Sequence, residues 1–534
     1  MDSRLLRCIA GGTLLLVSGL AAGQGSATAN GGPRFAIARY AVENNTLLSP
    51  ALIEQALAPY TGPDRDFGSV QQALEVLEQL YVAAGYSVVQ VQLPEQELDS
   101  GVVRFRILEG RLMSIRYEGN RYFSDANVGR SLAALKTGES PNVNALADNL
   151  RMVNDNPAKQ TVVTLKAGRE PGEVDAVAKT TDQDPLRFAA TLDNTGTRNT
   201  GIFRLGLAAQ HANVFDLDHV MSVQYITSPD NHHRQVAILG AGYQIPLYRL
   251  NGSIGLFYGS SNVDAGRVES AAGNFMISGR GTVFGLRYTH NLGKRGDWEN
   301  SVSAGYDFRA YQAHVVPVGG TATLVPDVTV HPFSLTYATS FRRPDTDFSG
   351  YFSAVQNLPG GSDGNDAAFQ QAGQRPGANS RYLLYRYGFS LARVLPADWE
   401  VRAAMSGQYT GQMLVSGEQF GVGGAESVRG YMEREFASDK GHRGTLELYT
   451  PDWGQNFVES LRVRGLAFYD FGYVKRIRPA AQEAHGAAIA SVGVGLRGGI
   501  GKSVGLRLDF AKTFDKGNDQ TRGMRMHGAV SYVF

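Results

Sequence analysis

From Arg187 to the terminal Phe534 the chain is a succession of short segments in which apolar and polar residues alternate, the pattern of strands lying between two unlike media. Trp399, Val401, Ala403, Met405 and Tyr409 are interleaved with Glu400, Arg402, Ser406 and Gln408. Leu461, Val463, Tyr469 and Phe471 share a face opposite Arg462, Arg464 and Asp470. Val504, Leu506, Leu508 and Phe510 stand opposite Gly505, Arg507 and Asp509, and the chain ends with Met526, Gly528, Val530, Tyr532 and Phe534 on one face. A soluble sandwich alternates too, so the pattern alone leaves the solvent open.

Connector lengths decide it. About sixteen segments of barrel-strand length follow one another, the first near Arg187, others near Phe275, Val330 and Gly444, the last near Met524. Connectors after even-numbered segments are short, such as Pro246 to Arg249 and Gly498 to Gly501. Most connectors after odd-numbered ones are long, such as Tyr311 to Thr329, Gln356 to Arg381 and Gly411 to Arg443. A sandwich has no reason for that parity, whereas an outer-membrane barrel has short turns on one side and long loops on the other. The fold class is therefore a transmembrane β-barrel over residues 187–534, of about 16 antiparallel strands, with both barrel ends in the periplasm. Its 64 glycines in 534 residues, against a usual ~7%, suit a protein with many turns.

The start of the chain agrees. Met1 to Gly23 reads as a secretory signal, with Arg4 and Arg7 ahead of the apolar run Ile9 to Leu20 and small residues Ala21-Ala22-Gly23 for cleavage. Ala27-Thr28-Ala29 is a second cleavage option. The only cysteine, Cys8, is lost with this segment, so the mature chain forms no disulfide. Beyond Gly23 no apolar run approaches the ~18 residues of a spanning helix.

Between signal and barrel, one order of elements occurs twice. Phe35 to Val42 alternates as a strand, Ser49 caps a helix with Pro50 at its first position, and Ser69 starts a longer helix with Leu74, Leu77, Leu80 and Tyr81 at helical spacing. Gly85 ends it, and strands follow at Tyr86 to Gln92 and Val102 to Leu108. The second round has a strand at Met113 to Tyr117, a helix from Ser124 through Leu135, and a helix from Val143 to Val153. Strands at Thr161 to Leu165 and Glu173 to Lys179 close it. Two small α+β modules, residues 35–111 and 112–182, therefore precede the barrel.

Several matches now carry a resemblance, in order along essentially the whole mature chain. They are Tyr40-Ala-Val-Glu-Asn-Asn-Thr-Leu-Leu48, Asn154-Asp-Asn-Pro157, and Asp193-Asn-Thr-Gly196 followed by Thr200-Gly201. The most specific is Gln419-Phe-Gly-Val-Gly-Gly-Ala-Glu-Ser-Val-Arg-Gly-Tyr431, with Phe468-Tyr-Asp-Phe-Gly472 after it. The chain resembles the TpsB transporters of two-partner secretion, the group exporting filamentous haemagglutinins and haemolysins. The two modules resemble polypeptide-transport-associated (POTRA) domains. The resemblance implies that Val428, Arg429, Gly430 and Tyr431 form the tip of the 411–443 loop, folded back into the barrel, and that Asp470 and Gly472 belong to the wall receiving it.

A physical reading stands beside the resemblance. Gly421, Gly423, Gly424 and Gly430 let the loop turn sharply and approach other backbone closely. An arginine carried into a narrow lumen needs an anionic partner. Asp470 shares the polar face of Arg462 and Arg464, so it suits Arg429, with Glu447 as a second acceptor. The rival reading is a glycine-rich surface loop with a solvated arginine. Asn154, Asn156, Pro157 and Gly168 of the second module are expected to contact the secreted partner. Tyr532 and Phe534 resemble the terminal signal read by the outer-membrane insertion machinery.

Other chemistry has weaker support in the residues. Gly495 to Ser503 resembles a P-loop, but the first glycine of that motif would fall at Leu496, and the stretch sits where a hairpin turn belongs. His232-His233 with Asp216 and Asp218 suggest metal, yet no third ligand is placed by spacing. No nucleophile motif stands in a strand-turn-helix context. A net charge of +1 gives no reason to expect nucleic acid. The expectation is a monomer, not an enzyme, with no cofactor and no metal. It would recognise one large β-helical exoprotein, an adhesin or cytolysin with an N-terminal secretion domain, and export it unfolded without ATP. The rivals are a barrel-assembly insertase, which typically has more front modules, and a passive diffusion porin, which would leave the two modules without a purpose. Residues Gln24 to Arg34 are too short to span a ~30 Å membrane core as helix plus linker, so no N-terminal plug is expected.

Overall fold

The computed structural model describes residues 34–534 apart from 98–99, 198–199, 231–235, 263–265, 271–272, 278–279, 313–326, 372–374, 482 and 518–522. The signal segment, all but the last residue of the Gln24 to Arg34 stretch, and the His232-His233 pair lie outside the described residues. The chain divides into two compact units, one ending at Ala83 but including Val89–Leu108, the other holding Ala84–Val88 and Glu109–Phe534.

In the first unit, Arg39–Glu43 lies parallel to Val102–Leu108, which pairs antiparallel with Gln90–Gln92. Phe35–Ile37 pairs separately with Gly62–Arg65, so the expected single strand from Phe35 to Val42 is broken in two. Helices Pro50–Leu57 and Phe67–Ala83 cover the sheet through Ile53, Leu57, Val70, Leu77 and Tyr81 against Val103, Phe105 and Ile107. The second helix starts two residues earlier than expected. Asp66 is its capping residue, its carboxylate accepting from the Ser69 amide at 2.9 Å and hydroxyl at 3.0 Å.

The second module repeats the plan, with Arg111–Glu118 parallel to Glu173–Asp182 and Lys159–Ala167 antiparallel on the other side. Helix Asp125–Ser131 is capped by Ser124 and ends four residues short of Leu135. Helix Val143–Asn154 is capped by Asn142, whose side chain accepts from the amides of Asn144 and Ala145.

The barrel closes. Its ring contains seventeen hydrogen-bonded pieces, of which Val328–Val330 and Pro332–Arg343 both pair with Trp298–Tyr311 as one strand interrupted at His331, leaving sixteen strands. The segment expected near Phe275 starts at Gly281, because Gly266–Ser270 and Gly273–Ile277 form a separate hairpin in the connector. Met524–Val533 closes the ring on Leu186–Asp193, and Phe534 exchanges two backbone hydrogen bonds with Phe188 at 2.9 and 3.0 Å. Phe534 stacks on Phe188 and Tyr532, all three rings on the exposed outer face. The outer wall is largely apolar among the described residues, with Leu207, Leu239, Phe284, Leu335, Phe352, Phe389 and Leu446 exposed, as a lipid-facing surface requires. Short turns such as Phe215–Asp218, Tyr248–Asn251 and Gly296–Asp297 alternate with the long connectors, so the parity holds.

Candidate functional site in the barrel lumen

The long connector between Glu400–Thr410 and Lys440–Tyr449 runs from Gly411 to Asp439, a little shorter than expected. It folds as a hairpin, Phe420–Val422 paired with Phe436–Ser438, whose tip turns through the positive φ of Gly423, Gly424 and Gly430. On the receiving wall, register sets Asp470 of Leu461–Lys475 between Thr445 and Ser491 of its neighbours. Period-two alternation then puts Phe468, Asp470 and Gly472 on the same inward face.

The tip carries Arg429 onto this face. Its Nε and NH2 donate to the two Asp470 carboxylate oxygens, both at 2.7 Å, and its backbone amide donates to Asp470 at 3.1 Å. NH1 lies 2.8 Å from Glu447 and 3.4 Å from Asp509. Thr445 donates to Asp470 at 2.6 Å, and the guanidinium rests on the Phe468 ring, 3.4 Å from its centroid. Arg429 is 3% exposed and Asp470 and Asp509 are 0%, so water does not screen these charges. The Gly430 amide donates to His527 Nε2 at 2.9 Å, and the Tyr431 hydroxyl donates to the Asp515 carbonyl at 2.9 Å. Gly472 is the seat for Val428: a Cβ there would stand 2.9 Å from Val422 and 3.0 Å from Val428.

A second anchor holds the root of the loop. Glu418, 1% exposed, accepts from Arg309 at 2.8 Å, Arg386 at 3.2 Å and the Tyr311 hydroxyl at 2.7 Å. Buried Asp439 accepts from the amides of Leu414 and Ile477 and pairs with Arg375. At the tip, Glu426 pairs with Arg507, which also donates to the Ala425 carbonyl at 2.6 Å. Sequence reasoning missed Glu418, Asp439, Asp509 and His527. The available signal was weak: Glu418 directly precedes the quoted loop motif, and Arg309 and Asp509 stand at alternating positions.

The four residues expected to hold the partner have other work in this structure. Asn154, the last residue of its helix, braces the strand Lys159–Ala167, donating to the Thr161 carbonyl at 3.0 Å and accepting from its amide at 2.7 Å. Asn156 is buried and donates to the Ala212 carbonyl of the barrel at 2.7 Å. The Pro157 carbonyl accepts from Gln183 and Arg187, and Gly168 closes a hairpin with Glu173. Strand Lys159–Ala167 itself has a sheet neighbour on one side only among the described residues.

Residues 172–498 match the family of haemolysin secretion/activation proteins ShlB/FhaC/HecB, and residues 35–110 match the ShlB-type POTRA domain. The heme/hemopexin transporter protein HuxB of Haemophilus influenzae (strain 86-028NP) is 23% identical, over 89% of this chain and 83% of that protein. The outer membrane transporter CdiB of Dickeya dadantii is 22% identical, over 79% of this chain and 73% of its own length. The solved structure of CdiB from Escherichia coli superposes with a TM-score of 0.77 at 18% identity, covering 96% of this chain and 92% of that one.

Proposed function

The chain belongs to the haemolysin secretion/activation family of ShlB, FhaC and HecB, and we propose that it carries a secreted partner protein from the periplasm through its barrel to the cell surface. The observation that supports this most is a closed sixteen-strand wall whose lumen is occupied by the protein's own loop, tied by side chains and not by a continuous strand. A diffusion porin gains nothing from a lumen so obstructed. No nucleotide is required: a partner that folds outside cannot slide back, so folding sets the direction. The partner is a large β-helical exoprotein, an adhesin or cytolysin with an N-terminal secretion domain. It adds as an extended segment to the open edge of Lys159–Ala167 by β-augmentation, near Asn154, Pro157 and Gly168.

Deleting this gene is expected to remove one large exoprotein from the culture supernatant and leave other secreted proteins at their usual level. An unchanged secretome would overturn the reading. Topology gives a second expected result. A tag inserted at exposed Gly361, in a long connector, is accessible to antibody on intact cells, whereas one at Arg249, in a short turn, is accessible only after the outer membrane is permeabilised. The reverse labelling would invert the barrel.

A further inference from the structure

Outside the loop site, the most deeply buried ion pair among the described residues lies where the second module meets the barrel. Lys159 Nζ stands 2.7 Å from Asp218 Oδ2, and the two side chains are 0% and 2% exposed. Lys159 opens the strand Lys159–Ala167, while Asp218 sits in the turn between barrel strands Arg204–Val214 and His219–Thr227. The ammonium also donates to Asn127 Oδ1 at 2.9 Å and faces the Phe123 ring, and the Tyr248 hydroxyl of the next short turn donates to Asp218 at 2.7 Å. Burial pulls the lysine below its usual range, with Asp218 opposing the shift. Asn127 donates further to Asn213 Oδ1 at 3.2 Å and the Asp216 carbonyl at 2.9 Å. The turn itself is strained: Phe215, Asp216 and Asp218 all have positive φ, a conformation that persists only where surroundings over-determine it. Leu112, Phe123 and Val128 of the module share one apolar core with Ala212, Val220 and Tyr248 of the barrel.

A buried ion pair is weak at stabilising a contact that apolar residues would hold as well, but it is selective for one geometry, because any other placement strands a charge. What that geometry sets is visible on the lumen side. Arg151 near the C-terminal end of the module's helix Val143–Asn154 and Asp155 just beyond it line a cavity of 570 Å³ together with Glu299 and Arg443 of the barrel and Glu426 of the loop tip. There the contact is loose: Arg151 is 3.8 Å from Glu299, and both are partly exposed. The module is thus fixed firmly at the first two periplasmic turns and lightly at the third.

We infer that Lys159 and Asp218 are positioning residues for export, fixing the second module so that Arg151 and Asp155 border the periplasmic mouth of the pore. The inference rests on the transport reading above. An extended segment held on the module's open edge is then delivered to a mouth at a constant place.

The test uses the full-length protein in cells that export the partner; failure of the wild type to export it would sink the transport reading, not this one. Lys159→Met and Asp218→Leu each strand one charge and are expected to cut export at least tenfold while the barrel remains heat-modifiable in the outer membrane. The double variant strands neither and is expected to recover much of the loss. Tyr248→Phe, which removes one hydrogen bond and no charge, covers the case in which a single variant fails to insert, and is expected to lower export severalfold. A disulfide between Asn127→Cys and Asn213→Cys, added to Lys159→Met, is expected to restore export under oxidising conditions and lose it again on reduction. A merely structural defect would not follow the redox state. Normal export by Lys159→Met and Asp218→Leu, by Tyr248→Phe if those do not insert, or no rescue by the formed disulfide, would overturn the inference.

Discussion

Arg429→Ala is expected to free the loop tip, raise the resting conductance of the channel and impair export, while the barrel still inserts and closes. Three carboxylates converge on this guanidinium, but they do not depend on it equally. Asp509 keeps Arg497 at 2.9 Å and Arg507 at 2.8 Å, and Glu447 keeps the Tyr449 hydroxyl at 3.0 Å. Among the described residues, Asp470 keeps only the Thr445 hydroxyl. Stranding one member of a buried pair typically costs about 3–5 kcal/mol, enough to shift loop occupancy by roughly a hundredfold or more. Asp470→Ala is expected to cost less, because Arg429 retains Glu447 at 2.8 Å and Asp509 at 3.4 Å. The double variant should lose well under the sum of the two, since the shared interaction is removed once. Single-channel recordings on the three variants decide this. Full additivity would mean that Asp470 is not the carboxylate that matters, and equal losses from the two single changes would mean that Glu447 and Asp509 do not hold Arg429 without it.

That asymmetry shows where sequence reasoning stops. Alternation assigns a residue to the inner or outer face, so Asp470 could be placed in the lumen from its neighbours Arg462 and Arg464. It says nothing of height or of which distant strand arrives at the same level, which closure and stagger of the whole ring determine. Asp509 therefore looked like one polar residue among many, although it completes the site from two strands away. The parity of connectors is a different kind of signal. It depends on counts along the chain and on no contact, which is why strand number and the placement of both ends were legible. Asp216 and Asp218 mark the opposite case. As residue types they suggested metal, and only the fold supplies the lysine and the serine, Ser124, that they meet. Asn156 is legible in the sequence only as part of the Asn154–Pro157 motif, and the barrel strand whose Ala212 carbonyl it bonds is supplied by the fold. The early helix start at Phe67 is smaller and local: two side chains could cap, and Asp66 was the one outside the helix.

Glu418→Ala should release the loop at its other end. The carboxylate is the meeting point of two arginines and a tyrosine from strands Trp298–Tyr311 and Leu383–Val394, on the side of the barrel where the long connectors leave. Without it Arg309 keeps Asp307 at 2.6 Å, but Arg386 is left with the neutral Gln408 at 3.0 Å. The cost falls in the same range of about 3–5 kcal/mol as at the tip, although the consequence differs. The tip, with Arg429 still seated, stays in the lumen while the segment from Gly411 to Gln419 loosens toward the outside. Protease added to intact cells is therefore expected to cut within residues 411–419 of Glu418→Ala and not of the wild type, with only a modest change in conductance. Arg429→Ala should show the converse, a large conductance change with little new cleavage near the root. The two anchors share no side chain, so combining the changes is expected to give additive losses. If Glu418→Ala remains uncut and conducts as the wild type does, the root is held by Asp439, through Leu414 and Arg375, and the buried glutamate adds nothing to it.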